Sequence, residues 1–263
     1  MKACLSKALG AASIALALTS GPVAEAAPPG GRPAYCQPAS RAPKIFGLGG
    51  STMGSALGPM LDHLYKPEGV EFSRWGKASS GLARPDFHDW PGEAPRLMKK
   101  HKPDIVVVSL GTNDYQALKT KEGWIRQEET EAWAKAYADR VDAMLTGLTA
   151  DNPQRLIIWS GPYAFKGENA EVRAPVVNRI MRERVAAFVA RGGRAEFLDA
   201  YAVTSDAKGR PLSEADLPGQ KGGKQKIRQK DNIHLTTEAV RAFLADPVVT
   251  LTRPCHVPKA AGK

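Results

Sequence analysis

Apolar residues in this chain fall into short continuous runs that alternate with stretches where they recur every three or four positions. Ile45, Phe46 and Leu48 form the first run, which leads into Gly49-Gly50-Ser51 and is followed by Met53, Leu57, Met60, Leu61 and Leu64 at helical spacing. The pattern predicts a strand, a tight turn and a helix. A second strand is expected near Val70 to Trp75. Ile105 to Leu110 reads as a strand buried on both faces, because a nearly continuous apolar run leaves no polar face for water. Between Glu128 and Leu148, Trp133, Tyr137, Val141, Met144, Leu145 and Leu148 mark an amphipathic helix. Arg155 to Ser160 gives the next strand. Val177, Ile180, Met181, Val185, Phe188 and Val189 mark another helix, stopped by Gly192-Gly193, and Ala195 to Leu198 supplies a last strand. This alternation predicts an α/β domain: a three-layer, flavodoxin-like α/β/α sandwich with a parallel sheet of about five strands. In such sheets ligands sit beyond the carboxyl ends of the strands, so Ser51 and Asn113 are expected to open onto one edge.

The remaining segments are less regular. Lys2 and Lys7 flank a short basic region, Ala8 to Val23 is apolar and small, and Ala24-Glu25-Ala26 fits a cleavage site, so residues 1–26 read as a secretory signal rather than a membrane anchor. Residues 27–43 are rich in Pro and Gly and read as an extended arm. The folded domain is expected over 44–250, with a C-terminal tail over 251–263. Val203 to Lys230 is polar and rich in Gly, Lys and Gln, the composition of a long irregular loop. Thr236-Thr237-Glu238 then starts a helix running through Val240, Phe243 and Leu244.

Composition adds two points. Without residues 1–26 the chain keeps two cysteines, Cys36 and Cys255, and export with an even count predicts a structural disulfide between them. The formal charge is +10; removing Lys2, Lys7 and Glu25 with the signal leaves 35 basic and 26 acidic residues, or +9. A basic exported protein is suited to anionic envelope polymers. Nucleic acid is not the expected partner, since no recognised module accompanies the charge, and no other segment is long and apolar enough to insert stably in a membrane.

Three short runs carry the chemistry. Ser51 lies on a Gly-rich turn between strand and helix, where its hydroxyl is exposed beside backbone N–H groups, although serine at such a place also serves as an N-cap. His234 follows Asp231 by three residues, close enough for the carboxylate to fix one imidazole tautomer. Asn113, in SLGTND, can aim its amide at a developing oxyanion, and Gly81, in KASSGLARPDFHDW, offers an unobstructed N–H. Lys221, Lys224, Lys226, Arg228 and Lys230 crowd the approach to Asp231 and could steer an anionic glycan or acyl donor. Tyr115, Trp90 and Trp159 are candidates to stack on sugar rings, although aromatics at strand ends also build cores.

In the order Ser51, Gly81, Asn113 and Asp231 with His234, the chain resembles the SGNH (GDSL-like) hydrolases, and in particular an exported bacterial branch of largely uncharacterised function. The resemblance spans about Lys44 to Leu244. It implies a catalytic triad of Ser51, His234 and Asp231, an oxyanion hole of the Ser51 and Gly81 N–H groups with the Asn113 amide, and no metal or other cofactor. It also singles out Arg228 as a substrate-binding residue, joined by Tyr115 and Trp90. One departure stands out: the family's GDS is GGS here, with Gly50 in place of aspartate. The expected reaction is serine-dependent hydrolysis of an O-acyl ester, acetyl first, on an envelope or extracellular carbohydrate, by a periplasmic or secreted enzyme. An O-acyltransferase using the same triad and a non-catalytic glycan-binding relative remain open alternatives at this stage.

Overall fold

The computed structural model describes Cys36 and residues 41–114, 116–167 and 170–256. The expected signal (1–26) and most of the arm (27–43), as well as Tyr115, lie outside the described residues. In chain order the elements are β1 (Lys44–Gly49), α1 (Gly58–Tyr65), β2 (Glu71–Gly76), α2 (Trp90–His101), β3 (Ile105–Ser109), β4 (Leu118–Lys119), β5 (Trp124–Ile125), α3 (Thr130–Thr149), β6 (Leu156–Ser160), α4 (Ala170–Ala190), β7 (Ala195–Leu198), α5 (Ala200–Thr204), β8 (Glu214–Ala215), β9 (Gln225–Lys226), α6 (Thr237–Val240) and α7 (Asp246–Thr252).

Five strands pair in parallel in the order β2-β1-β3-β6-β7. The order reverses between β1 and β3, and at such a switch point adjacent loops part to leave a crevice. Successive side chains leave a strand on opposite faces. Ile45, Val107 and Ile158 therefore meet Met53, Leu57, Leu61 and Val248 on one side of the sheet. Phe46, Leu48, Val106, Val108, Ile157 and Trp159 meet Leu97, Tyr137, Val141, Leu145, Val177 and Val185 on the other. Helices on both faces give the three-layer α/β/α architecture the pattern predicts.

The differences from expectation are local. The sequence reading leaves residues 77–104 without a helix, yet α2 forms there, its buried stripe of Trp90, Ala94, Leu97 and Met98 diluted by Pro91, Pro95 and five charged or histidine side chains. Residues 203–230 are not one irregular loop: they hold the end of α5, a bridge between Ser205 and Pro211, and the antiparallel β8–β9 hairpin. The last helix runs beyond Leu244 through a π-turn at Arg241–Ala245 into α7, so the expected tail begins inside an element. Cys36 and Cys255 form a disulfide, with Cα atoms 5.1 Å apart, across 219 positions of sequence. Among the described residues no helix is long and apolar enough to cross a membrane.

Candidate active site

Ser51 is the first residue past the turn that ends β1, and the helix it opens starts with a π-turn at Met53–Leu57. Such a wide turn interrupts the regular i→i−4 ladder and is enriched at functional sites. The turn is fastened to β3, since the Gly50 N–H donates to the Ser109 carbonyl at 3.1 Å. His234 comes from the segment between β9 and α6. That segment folds on itself through Gln229 N–H to the His234 carbonyl (2.8 Å) and Gln229 Nε2 to the Leu235 carbonyl (2.9 Å), with Asn232 in the left-handed region at φ +58°.

These two segments meet. Ser51 Oγ lies 3.4 Å from His234 Nε2, and His234 Nδ1 lies 2.7 Å from Asp231 Oδ2. The other Asp231 oxygen accepts the backbone N–H groups of Ile233 and His234, both at 2.9 Å. Bonding to the imidazole, joined by these two amides, holds the Asp231 carboxyl down at about 2. An ionised carboxylate at Nδ1 favours the tautomer whose Nε2 lone pair faces the serine hydroxyl. The 3.4 Å separation is a loose hydrogen bond, of the kind that tightens when a substrate is in place. Together the three groups can draw a proton from Ser51 and hold it.

The third segment arrives from β3. Asn113 Nδ2 donates to the Ser80 carbonyl at 2.9 Å, and because an amide nitrogen carries two hydrogens, the second is left over. A β-carbon built on Gly50 would lie 3.2 Å from both Asn113 Nδ2 and the Ser80 carbonyl oxygen. The amide is therefore packed against the residue that precedes Ser51. The lack of a side chain at Gly50 leaves room for that approach. Gly81 follows Ser80 and is buried, and its lack of a side chain has a definite cause: a β-carbon there would sit 2.1 Å from Asp114 Oδ1.

Asp114 escaped the sequence reading although it sits in GTND. It is fully buried and accepts hydrogen bonds from the Ala83 N–H at 2.8 Å and the Tyr137 hydroxyl at 2.7 Å. Burial pushes its carboxyl pKa up against these hydrogen bonds. Its bonds tie the loop bearing Ser80 and Gly81 to the Asn113 turn. A pocket of about 160 Å³ adjoins His234, lined by Thr52, Ser55, Ala56, Tyr163, Gln229, Leu235 and Val240.

Two expected substrate contacts take other places. Trp90 is 0% exposed, its indole N–H donates to Ser80 Oγ at 2.9 Å, and its ring packs edge-on against His88 and Trp75. It supports the Ser80–Gly81 loop and offers no face to a sugar; Trp159 is equally buried in the core. Arg228 is buried beside the β9–α6 segment, donating to the Leu212 carbonyl (3.1 Å) and the Thr204 carbonyl (3.3 Å), with its guanidinium 5.6 Å from the centre of the Tyr163 ring. Desolvation lowers it to about 10. It braces the histidine loop rather than reaching into the cleft. Lys221, Lys224, Lys226 and Lys230 are exposed on and after the β8–β9 hairpin.

Among known proteins, the family described as "Protein of unknown function (DUF459)" matches residues 44–250. No curated protein sequence matches the chain. Among solved structures, an acetyl esterase mutant with bound acetate superposes with a TM-score of 0.53 at 14% identity, over 80% of this chain and 98% of that one. A mutant of an acetyl-xylooligosaccharide esterase from Geobacillus stearothermophilus does so with a TM-score of 0.51 at 11% identity, over 85% of this chain and 99% of that one. At these identities the likeness establishes a shared three-layer α/β/α fold and no more.

Proposed function

The chain belongs to the DUF459 family, and from that premise we propose that it is a serine-dependent esterase removing O-acyl groups, acetyl first, from an envelope or extracellular carbohydrate. The observation that carries this reading is the run of contacts from Ser51 Oγ through His234 to Asp231, with the Asn113 amide packed against Gly50.

In the proposed reaction Ser51 Oγ attacks the ester carbonyl carbon while His234 Nε2 takes its proton. Asp231 holds the imidazole in the required tautomer and stabilises the imidazolium that forms. The carbonyl oxygen becomes an oxyanion, met by the N–H groups of Ser51 and Gly81 and by the second amide hydrogen of Asn113. His234 returns the proton to the leaving sugar hydroxyl, and water, deprotonated by the same histidine, releases the acid from the acyl-enzyme. The balance closes on ester and water, giving alcohol and acid.

Acetylated sugars are what the Geobacillus esterase named above acts on, at a similarity that argues only from fold. Export is supported by the signal-like residues 1–26 and by the Cys36–Cys255 bridge, since disulfides persist in oxidising compartments.

The direct test is hydrolysis of p-nitrophenyl acetate by the wild type and by Ser51→Ala. The substitution is expected to lower the rate to background; equal rates in the two proteins would end the proposal. In cells, loss of the protein is expected to leave extra O-acyl groups on envelope glycans, read by mass spectrometry. Missing groups would instead assign acyl transfer to the same residues.

A further inference from the structure

The loop carrying Ser80 and Gly81 continues outward into a surface that carries exposed aromatic rings. Phe87 and Trp124 are 48% and 51% exposed. Each has a cation over its ring: Lys77 Nζ lies 5.2 Å from the Phe87 centroid, and Arg84 and Lys119 lie 4.9 and 5.3 Å from that of Trp124. Leaving a large aromatic ring half in water forgoes part of the stabilisation that full burial of such a side chain gives. Two on neighbouring segments make a patch rather than scattered surface residues.

Beside Trp124 a groove of about 640 Å³ runs between the β4–β5 hairpin and α3, within the size range of ligand sites. Lys119, Lys121, Lys135 and Arg140 line it against Glu122 and Asp139. Lys135 is paired with Asp139 and Arg140 with Asp89. Lys77, Lys119 and Lys121 form no salt bridge among the described residues: Lys77 and Lys119 rest against the Phe87 and Trp124 rings, and Asp86 and Glu122 are the acidic neighbours of Lys119 and Lys121, so an incoming carboxylate would meet ammonium groups not already bound to one.

This surface is joined to the reaction centre by direct bonds. The Lys119 N–H donates to the Ala83 carbonyl at 2.9 Å, Arg84 reaches Gln116 Oε1 at 3.4 Å, and Gln116 Nε2 donates to the Asn113 carbonyl at 2.7 Å. A chain lying across Phe87 and Trp124 would thus border the edge where Asn113 stands.

We propose that this surface binds an acidic polysaccharide, with sugar rings stacked on Trp124 and Phe87 and their carboxylates held by Lys77, Lys119 and Lys121. The exposed parts of the two rings suit the apolar C–H faces of pyranose rings, and the ammonium groups beside them, which hold no carboxylate in a salt bridge, select uronate-bearing chains over neutral ones. The inference deepens the esterase reading and rests on it for one point only, that the polymer presents its esters to Ser51.

The test uses the full chain carrying Ser51→Ala, so that nothing is turned over, and measures affinity by calorimetry for polygalacturonate, neutral xylan and polyglutamate. Polygalacturonate is expected to bind at least tenfold more tightly than either of the others. The pair Trp124→Ala/Phe87→Ala is expected to weaken polygalacturonate at least tenfold while leaving polyglutamate unchanged, and Lys119→Gln/Lys121→Gln to weaken both. All four side chains lie at the surface, so thermal unfolding within about 2 °C of the parent confirms that the variants fold, by the scale of a fraction of a kcal/mol. Absence of polygalacturonate binding, equal affinity for polyglutamate, or an unaltered constant in the aromatic pair overturns the proposal. Since binding is read without turnover, each such result leaves the esterase reading to the p-nitrophenyl acetate assay.

Discussion

The Asp231 carboxylate is partly exposed, yet it is held at about 2, first by the imidazole of His234 and then by two backbone amides of its own turn. The sign of its effect follows from that direction. A carboxyl whose folded pKa lies below its unfolded value of about 3.9 stabilises the fold above that value and loses the contribution as pH falls toward the folded one. For activity, Asp231 stays ionised throughout the neutral and mildly acidic range, so the acid limb of a kcat/KM profile is expected to carry no inflection from it above about pH 4. In Asp231→Asn the tautomer is no longer enforced, and kcat is expected to fall roughly 10²- to 10⁴-fold with KM little changed. A profile of the wild type with a second acidic inflection between pH 4 and 5 would contradict the assignment. Asn113 makes a complementary prediction. Its amide is fixed by Ser80 on one side, so Asn113→Ala removes an oriented donor, and a loss of about 3 kcal/mol in transition-state stabilisation, near 10²-fold in kcat, is expected. An equal rise in KM with kcat unchanged would mean that the amide binds ground state and transition state alike.

Arg155 shows how single side chains set the relation between elements. It is 1% exposed, donates to the Pro103 carbonyl ahead of β3 at 2.8 Å and to the Leu148 carbonyl near the end of α3 at 2.5 Å, and pairs with Asp151 at 2.7 Å. It also stands where the carboxyl end of the helix favours a cation. Arg155→Ala leaves two carbonyls without their donor, at a cost of about 3 kcal/mol, or roughly 6–12 °C in Tm for a domain of this size. Arg155→Lys, with one point charge in place of the fork, should recover part of it; a Tm unchanged in the alanine variant would refute the bolt. Such a role was not legible in the run Arg155 to Ser160, where Arg155 reads only as the first residue of a strand. What was legible follows one rule: β3 and α3 have dense apolar repeats whose period matches their structure. By contrast α2 has four buried positions in twelve and two prolines, and β8 and β9 have two residues each, too few to show a period. The misplacement of Trp90 has the same origin, because the helix that buries it was not visible. Arg228 is buried by packing around Thr204 and Leu212, residues that meet it only in three dimensions. The Ser51, Asn113 and His234 segments were legible because each combines turn chemistry with a reactive side chain at a strand or helix end.

Across the molecule, the reactive segments lie on the β1 and β3 ends and on the β9–α6 turn, while the disulfide joins residues 219 positions apart. The bridge closes almost the whole folded domain into one loop, so in the chain-entropy description its main action is on the unfolded ensemble, where a loop of this length is worth about 5 kcal/mol as an upper figure. The same description makes a separable claim. Cys255 follows α7, which packs with α1, whereas Ser51, Asp231 and His234 are held by the β1–β3 ladder and by hydrogen bonds within residues 227–236. Reduction is therefore expected to lower Tm by roughly 5–15 °C, corresponding to about 2–4 kcal/mol, while kcat for p-nitrophenyl acetate at 25 °C stays within about twofold, since a twofold change is well under 1 kcal/mol. Cys36→Ser/Cys255→Ser should reproduce both results without a reductant. A reduced protein that keeps its Tm would show that the clasp does not restrict the unfolded chain, and one that keeps its Tm yet loses activity would move the bridge from stability to the site itself.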